Sequence, residues 1–221
     1  MKRYLTLIFG FVIFSSLYAQ NTFEGIIKFK TEIKGKNPVM EGMMPDSFIF
    51  LFKNKDVRII LSGGILSAMM GDIVSKGDSN ISFMLDYTNK TAYRYDPYKF
   101  GKSASIDVDE TDKKQKILDK NCKLFKISNS TKDGYITTDL WTTDELPILM
   151  PTNNPITKNF VFAGIEGFPL LVESKITYQA TEFDIIIKAV RIIERPIPAN
   201  EFMIPEDFKI VPLLTTSESG F

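Results

Sequence analysis

Histidine is absent from all 221 residues. That removes the commonest general base and the commonest metal ligand, so no Ser-His-Asp triad, Cys-His pair or histidine metal site can be built from this chain. Cysteine occurs once, at Cys122, so no internal disulfide can supply stability. Net charge is absent too, with 27 basic and 27 acidic side chains, and there is no electrostatic footprint for nucleic acid or an anionic membrane surface. No phosphate-binding glycine loop is present, because "SGGILSAMMG" lacks the lysine and the serine or threonine of that motif. No metal and no cofactor are expected.

What the chain does have begins with a leader. Lys2 and Arg3 precede an apolar run over residues 4–17, and Ser15, Ser16 and Ala19 supply small residues before Gln20. This reads as a cleaved signal peptide over residues 1–19 and an exported product. The run falls short of the roughly 20 residues of a spanning helix, and no later stretch is longer, so no transmembrane anchor is expected. No cysteine follows the apolar core, which argues against a lipid anchor at the N-terminus. Residues 20–221 are the length of one domain, and an apolar content of 44% is enough for a sizeable core.

The patterning is mostly that of strands. Residues 22–34 alternate, with Phe23, Gly25, Ile27 and Phe29 on one face and Glu24, Ile26, Lys28 and Lys30 on the other. "SFIFLFK" (47–53) and "DVRIILS" (56–62) flank Asn54 and Lys55, a two-residue hairpin connection in which asparagine can take a positive φ. Residues 81–86 and 91–95 form a second hairpin around "YTNK", and strand patterns recur at 116–118, 123–128, 135–143, 168–177 and 182–194. The polar stretch 101–116 reads as a mobile surface loop, residues 147–159 as mostly loop, and the proline-interrupted tail "RPIPANEFMIPEDFKIV" as turns and short extended pieces. No βαβ alternation occurs, so no parallel sheet is expected.

Helix is scarce. "NPVMEGMM" fits one short helix, with Asn37 as cap, Pro38 in the first turn and Pro45 as its stop, and it places Met40, Met43 and Met44 on one face. "SGGILSAMMGDIV" fits another, with Ile65, Leu66, Met69, Met70 and Ile73 at helical spacing.

From Lys116 the chain reads "KILDKNCKLFKISNSTKDGYITTDLWTTDELP", then "FAGIEGFPLLVE" and "EFMIPEDFKIV"; its first half carries "FEGIIKFKTEI" and "MPDSFIFLFKNKDVRI". This arrangement, over residues 23–211, resembles a family of exported Gram-negative envelope proteins that have an N-C-K-like strand, a W-x-T strand and a Gly-Phe/Leu-Pro-Leu strand and no established activity. It is more distantly similar to the GLPGLI group of exported proteins, from whose motif "GFPLLVE" departs. The resemblance implies a fold like the LolA-type lipoprotein carriers. That fold is mainly β (α+β): one strongly curved antiparallel sheet, a half-barrel, with short helices on or across its concave face.

Candidate sites each have two readings. Met40, Met43, Met44, Ile65, Leu66, Met69 and Met70, with Trp141, either line an apolar groove or simply fill the core; methionine suits both because its unbranched thioether adapts to irregular partners. Cys122 lies among lysines, which would activate an exposed thiol, yet free cysteine is usually buried. "DVDETD" opens like a calcium loop at Asp107 and Asp109, then fails at Thr111, Asp112 and Leu118, and reads as a solvated loop. The expectation is a non-enzymatic exported envelope protein that binds a lipid or a lipoprotein acyl chain in the concave face of the sheet. The alternative is an envelope protein–protein interaction module with a fully packed interior. The tail "LLTTSESGF" holds no recognisable sorting signal, which favours the periplasm over the extracellular space.

Overall fold

A computed structural model describes residues 22–35, 38–77, 81–95, 107–131, 134–149, 165–178 and 181–212. The leader 1–19, the Asn37 cap, residues 101–106 of the polar stretch and most of 147–159 lie outside these. All twelve described strands belong to one sheet, and two short α-helices accompany it. The strands are β1 (Gly25–Lys34), β2 (Ser47–Lys53), β3 (Asp56–Ser62), β4 (Asp72–Lys76), β5 (Ile81–Asp86), β6 (Thr91–Tyr95), β7 (Asp107–Ile117), β8 (Lys120–Thr131), β9 (Gly134–Thr143), β10 (Phe168–Tyr178), β11 (Thr181–Glu194) and β12 (Lys209–Pro212). Helix α1 (Pro38–Met43) joins β1 to β2, and α2 (Gly64–Met70) joins β3 to β4. The order across the sheet is β12-β6-β5-β4-β3-β2-β1-β11-β10-β9-β8-β7; it does not close on itself.

Two parts of the sequence reading are corrected. Ile73 is not helical: α2 stops at Met70, Gly71 takes φ 58°, and β4 follows. A Cβ at Gly71 would run into the Leu85 carbonyl, so the chain turns there because only glycine fits. Residues 107–116 are not a loop but most of strand β7, at the sheet's edge, where both faces meet solvent and no alternation is required. In the tail, β12 pairs with β6 in parallel, the one parallel pair among the described strands.

The sheet curls tightly at its centre. Strands β2 and β10 are three places apart, about 14 Å in a flat sheet at roughly 4.8 Å per strand. Yet the Phe52 and Phe168 rings meet edge-on with centroids 5.4 Å apart, and Phe168 also reaches Phe29 and Phe50 at 6.3 Å. Register shifts at Lys28/Phe29 on β1 and at Pro169/Leu171 on β10 sit in the strands that bend; an extra residue in one strand is a usual source of such bending. The enclosed core comprises Phe23, Ile27, Phe29, Phe48, Phe50, Phe52, Val57, Ile59 and Ile73 from one side, and Ile117, Cys122, Leu146, Phe168 and Leu170 from the other.

The other face of β1–β6 is covered by the tail. Ile197 and Phe202 lie over Ile26 and Leu51, and Ile204 and Phe208 over Val74, Leu85 and Ala92. With both faces buried, β2 needs no polar side, which explains the continuous "FIFLF" run. Polar contacts pin the tail down. Lys53 Nζ donates to Glu24 Oε1 and to the Ile197 carbonyl, 2.7 Å each. Arg58 Nη1 donates to the Glu201 carbonyl at 2.9 Å.

Candidate functional site

The two helices that carry the methionines pack on each other. Helix α1 starts at Pro38, and its turn continues one residue past Met43, because the Met44 amide donates to the Met40 carbonyl at 3.0 Å. The start of α2 abuts the end of α1 closely enough that a Cβ on Gly64 would strike the Met43 and Met44 carbonyls. Met40, Met43, Met44, Leu66 and Met70 are half-buried, whereas Ile65 and Met69 are 55% and 71% exposed. No residue of α2 is buried. On α1, Val39 is 66% exposed. Met70 alone of the five methionines packs against the main core, beside Leu61 and Met84.

These five methionines therefore do not fill the interior: among the described residues no methionine is buried, and the main core interlocks through phenylalanine rings. Beneath α1 is a small hollow of about 150 Å³ lined by Thr31, Ile33, Glu41, Met44, Pro45 and Asp46. Of the candidate residues only Met44 reaches it. The Thr31 hydroxyl is buried there without a hydrogen-bond partner.

Trp141 stands on β9 directly opposite Leu124 and Leu171 and packs, half-buried, against the main core. Two residues along the same faces, the next cross-strand row carries three charges, on Lys126, Asp139 and Glu173, and ends at Ile186. The row beyond it holds Thr137, Lys175, Asp184 and Lys34. Together they line an open cleft of about 420 Å³. Lys126 pairs with Asp139 at 2.8 Å; Glu173 faces Asp139, a like charge directly across the ladder. None of these residues is among the site candidates read from the sequence, because the cleft is created by strand register.

Cys122 is 1% exposed, and burial pushes its thiol up to about 11. The neighbouring lysines do not activate it. Arg58 is the most heavily engaged cation. Its Nε and Nη2 reach Asp72 Oδ2 at 3.1 and 2.6 Å, its Nη1 reaches Glu201 Oε2 at 3.2 Å, and Nη2 donates to the Tyr87 hydroxyl at 2.7 Å. Tyr87 in turn donates to Asp72, and burial together with the Asp72 charge pushes its phenol up to about 12. This cluster fastens β3, β4 and the tail together. Among the described residues no group of three or more histidine, cysteine, aspartate or glutamate side chains could hold a metal ion, and no helix is long and apolar enough to cross a membrane.

No family model matches the chain, and no curated protein matches it. Among solved structures it is similar to one described as "Structure of PNGF-II in C2 space group", at 12% identity and a TM-score of 0.48. The likeness covers 90% of this chain and 32% of that one, so the chain spans about a third of its neighbour's length. Neither fold nor activity transfers at that level of similarity.

Proposed function

We propose that the protein is a non-enzymatic, exported envelope protein of the LolA-like half-barrel kind that binds an apolar group, the acyl chain of a lipid or of an acylated protein, at its methionine-bearing helix pair. One observation carries the reading. Val39, Ile65 and Met69 stand in solvent on two packed helices that hold between them a single charged side chain, Glu41. An adaptable surface with one charge on it suits a ligand that is mostly apolar. At about 0.8 kcal/mol per buried methylene, an acyl chain needs no polar motif to bind there. The phenylalanine core leaves the group outside on the helices, not within the curl of the sheet.

The family proposal rests on where its motifs fall. Asn121–Lys123 opens β8, Trp141 is on β9, and Gly167–Glu173 leads into β10, three consecutive neighbours in the sheet. An open, tightly curled sheet with short helices after β1 and β3 accords with a half-barrel. The periplasm is the proposed compartment, and N-terminal sequencing of the mature protein, expected to begin at Gln20, tests the leader.

Native mass spectrometry of protein purified from its own host, with a fluorescent fatty acid as probe, tests the binding reading. Co-purified lipid and probe binding that is lost in Ile65→Lys and Met69→Lys are expected; both residues are exposed, so the fold survives. An empty protein that ignores the probe would sink it and favour the second reading, an envelope protein–protein interaction module. The interlocked rings of Phe29, Phe50, Phe52 and Phe168 favour that alternative, because they leave the main core packed.

A further inference from the structure

We propose that the end of α1 is also a thioether site for a soft monovalent cation, copper(I), with Met40, Met43 and Met44 as donors. The inference does not rest on acyl binding, because it concerns sulfur and not hydrophobicity.

Placement comes first. Five of the nine methionines occur within residues 40–70, on two helices that touch. If their task were gap filling, they would be buried. None is, and the buried core is built of phenylalanine, isoleucine, leucine and valine with a few small residues. Geometry comes second. The spacing i, i+3, i+4 puts Met40, Met43 and Met44 on one face, with Cβ atoms about 5–6 Å apart, and the Met44 amide keeps that residue within the helical turn. Methionine has three rotatable side-chain bonds, so sulfurs rooted at that spacing can converge on one ion.

Chemistry selects the ion. Neutral thioethers are soft ligands that favour copper(I) over magnesium, calcium or zinc. No competing soft or borderline ligand is at hand. Histidine is absent, and the lone thiol of Cys122 is 1% exposed. A thioether has no proton to lose or gain near neutral pH, so binding is independent of pH where thiolate or imidazole sites weaken in acid.

The test is an anaerobic titration of the full-length mature protein with copper(I) against a chromophoric copper(I) chelator, alongside silver(I) binding by native mass spectrometry. One equivalent is expected, with sulfur-only scattering at the copper X-ray absorption edge and the same affinity at pH 7.5 and pH 5. Met40→Leu and Met43→Leu weaken binding by about tenfold or more, whereas Met84→Leu and Met203→Leu leave it unchanged. Leucine keeps volume, apolarity and helix propensity, so these variants fold. A triple Met40→Leu, Met43→Leu, Met44→Leu variant loses copper(I) but still binds a fluorescent fatty acid, which separates this inference from the acyl reading. No retained copper(I) in the unmodified protein, or equal retention by the triple variant, overturns it.

Discussion

The Ile197 amide donates to Glu24 Oε1 at 2.7 Å, although the two residues are 173 positions apart. The same carboxylate oxygen accepts from Lys53, so one acidic side chain near the start of the described chain anchors the tail. First the Lys53 hydrogen bond and then the Ile197 amide hold the Glu24 pKa below its ordinary 4.5. In the unfolded chain that pKa is restored. The contact therefore contributes above pH 4.5, and its contribution is lost as pH falls through the lowered folded value. Glu24→Gln is expected to be less stable than the unmodified protein at neutral pH. In urea unfolding the gap between them closes as pH drops below 4.5. A gap that stays constant down to acid would remove Glu24 from the acid response.

The contact between Phe52 and Phe168 reports on the curl of the sheet. Phe168→Ala removes a buried ring shared by β2, β1 and β10 and is expected to cost about 3–5 kcal/mol. A double-mutant cycle with Phe52→Leu and Phe168→Leu should show a coupling of about 0.5–1.5 kcal/mol. Denaturant unfolding measures both; an additive cycle would mean that the two rings are not in contact in solution.

Asp72 is the pivot of the Arg58 cluster, and its neighbours are unequal. Asp72→Ala takes two charge-assisted hydrogen bonds from a guanidinium that is mostly shielded from solvent and leaves it Glu201 as its charged partner, and about 1.5–3 kcal/mol should be lost. Tyr87→Phe deletes a single hydroxyl at the rim of the cluster, and about 1 kcal/mol is expected. Urea midpoints for the two variants give the ratio. Comparable losses would show that Asp72 is not the centre of the network.

Cys122 should be silent in the folded protein. With its thiol buried and its pKa raised to about 11, a disulfide reagent at pH 8 is expected to leave it untouched until guanidinium is added. Rapid labelling of the native protein would contradict its placement beside Ile117 and Leu146 in the core.

Strands that alternate were legible from sequence, as was the turn at Asn54, which takes φ 55° as the two-residue hairpin demands. The buried row Phe23, Ile27 and Phe29 follows from period two alone. Strand β7 was illegible for a physical reason: an edge strand with both faces in water satisfies its ladder with any side chain. Strand β4 was hidden because Ile73 continues a helical spacing that Gly71 breaks sterically. The parallel β12–β6 pair joins segments more than a hundred residues apart, and local pattern cannot encode that. Periodicity likewise placed Met40, Met43 and Met44 on one face of α1 but could not say what that face meets, and the charged cleft beside Trp141 exists only once register is fixed.

The tail has a consequence for how the chain is made. Ile26, Ile49, Leu51 and Ile60 emerge from the ribosome well over a hundred residues before their cover, Ile197 and Phe202. Until then a nascent chain carries a sticky, half-finished sheet that can neither bury that surface locally nor hide it by early collapse. A holding chaperone that recognises extended aliphatic strands is what such a chain needs. Loss of the segment that carries Ile197 and Phe202 would turn a well-folded protein into an aggregation-prone one.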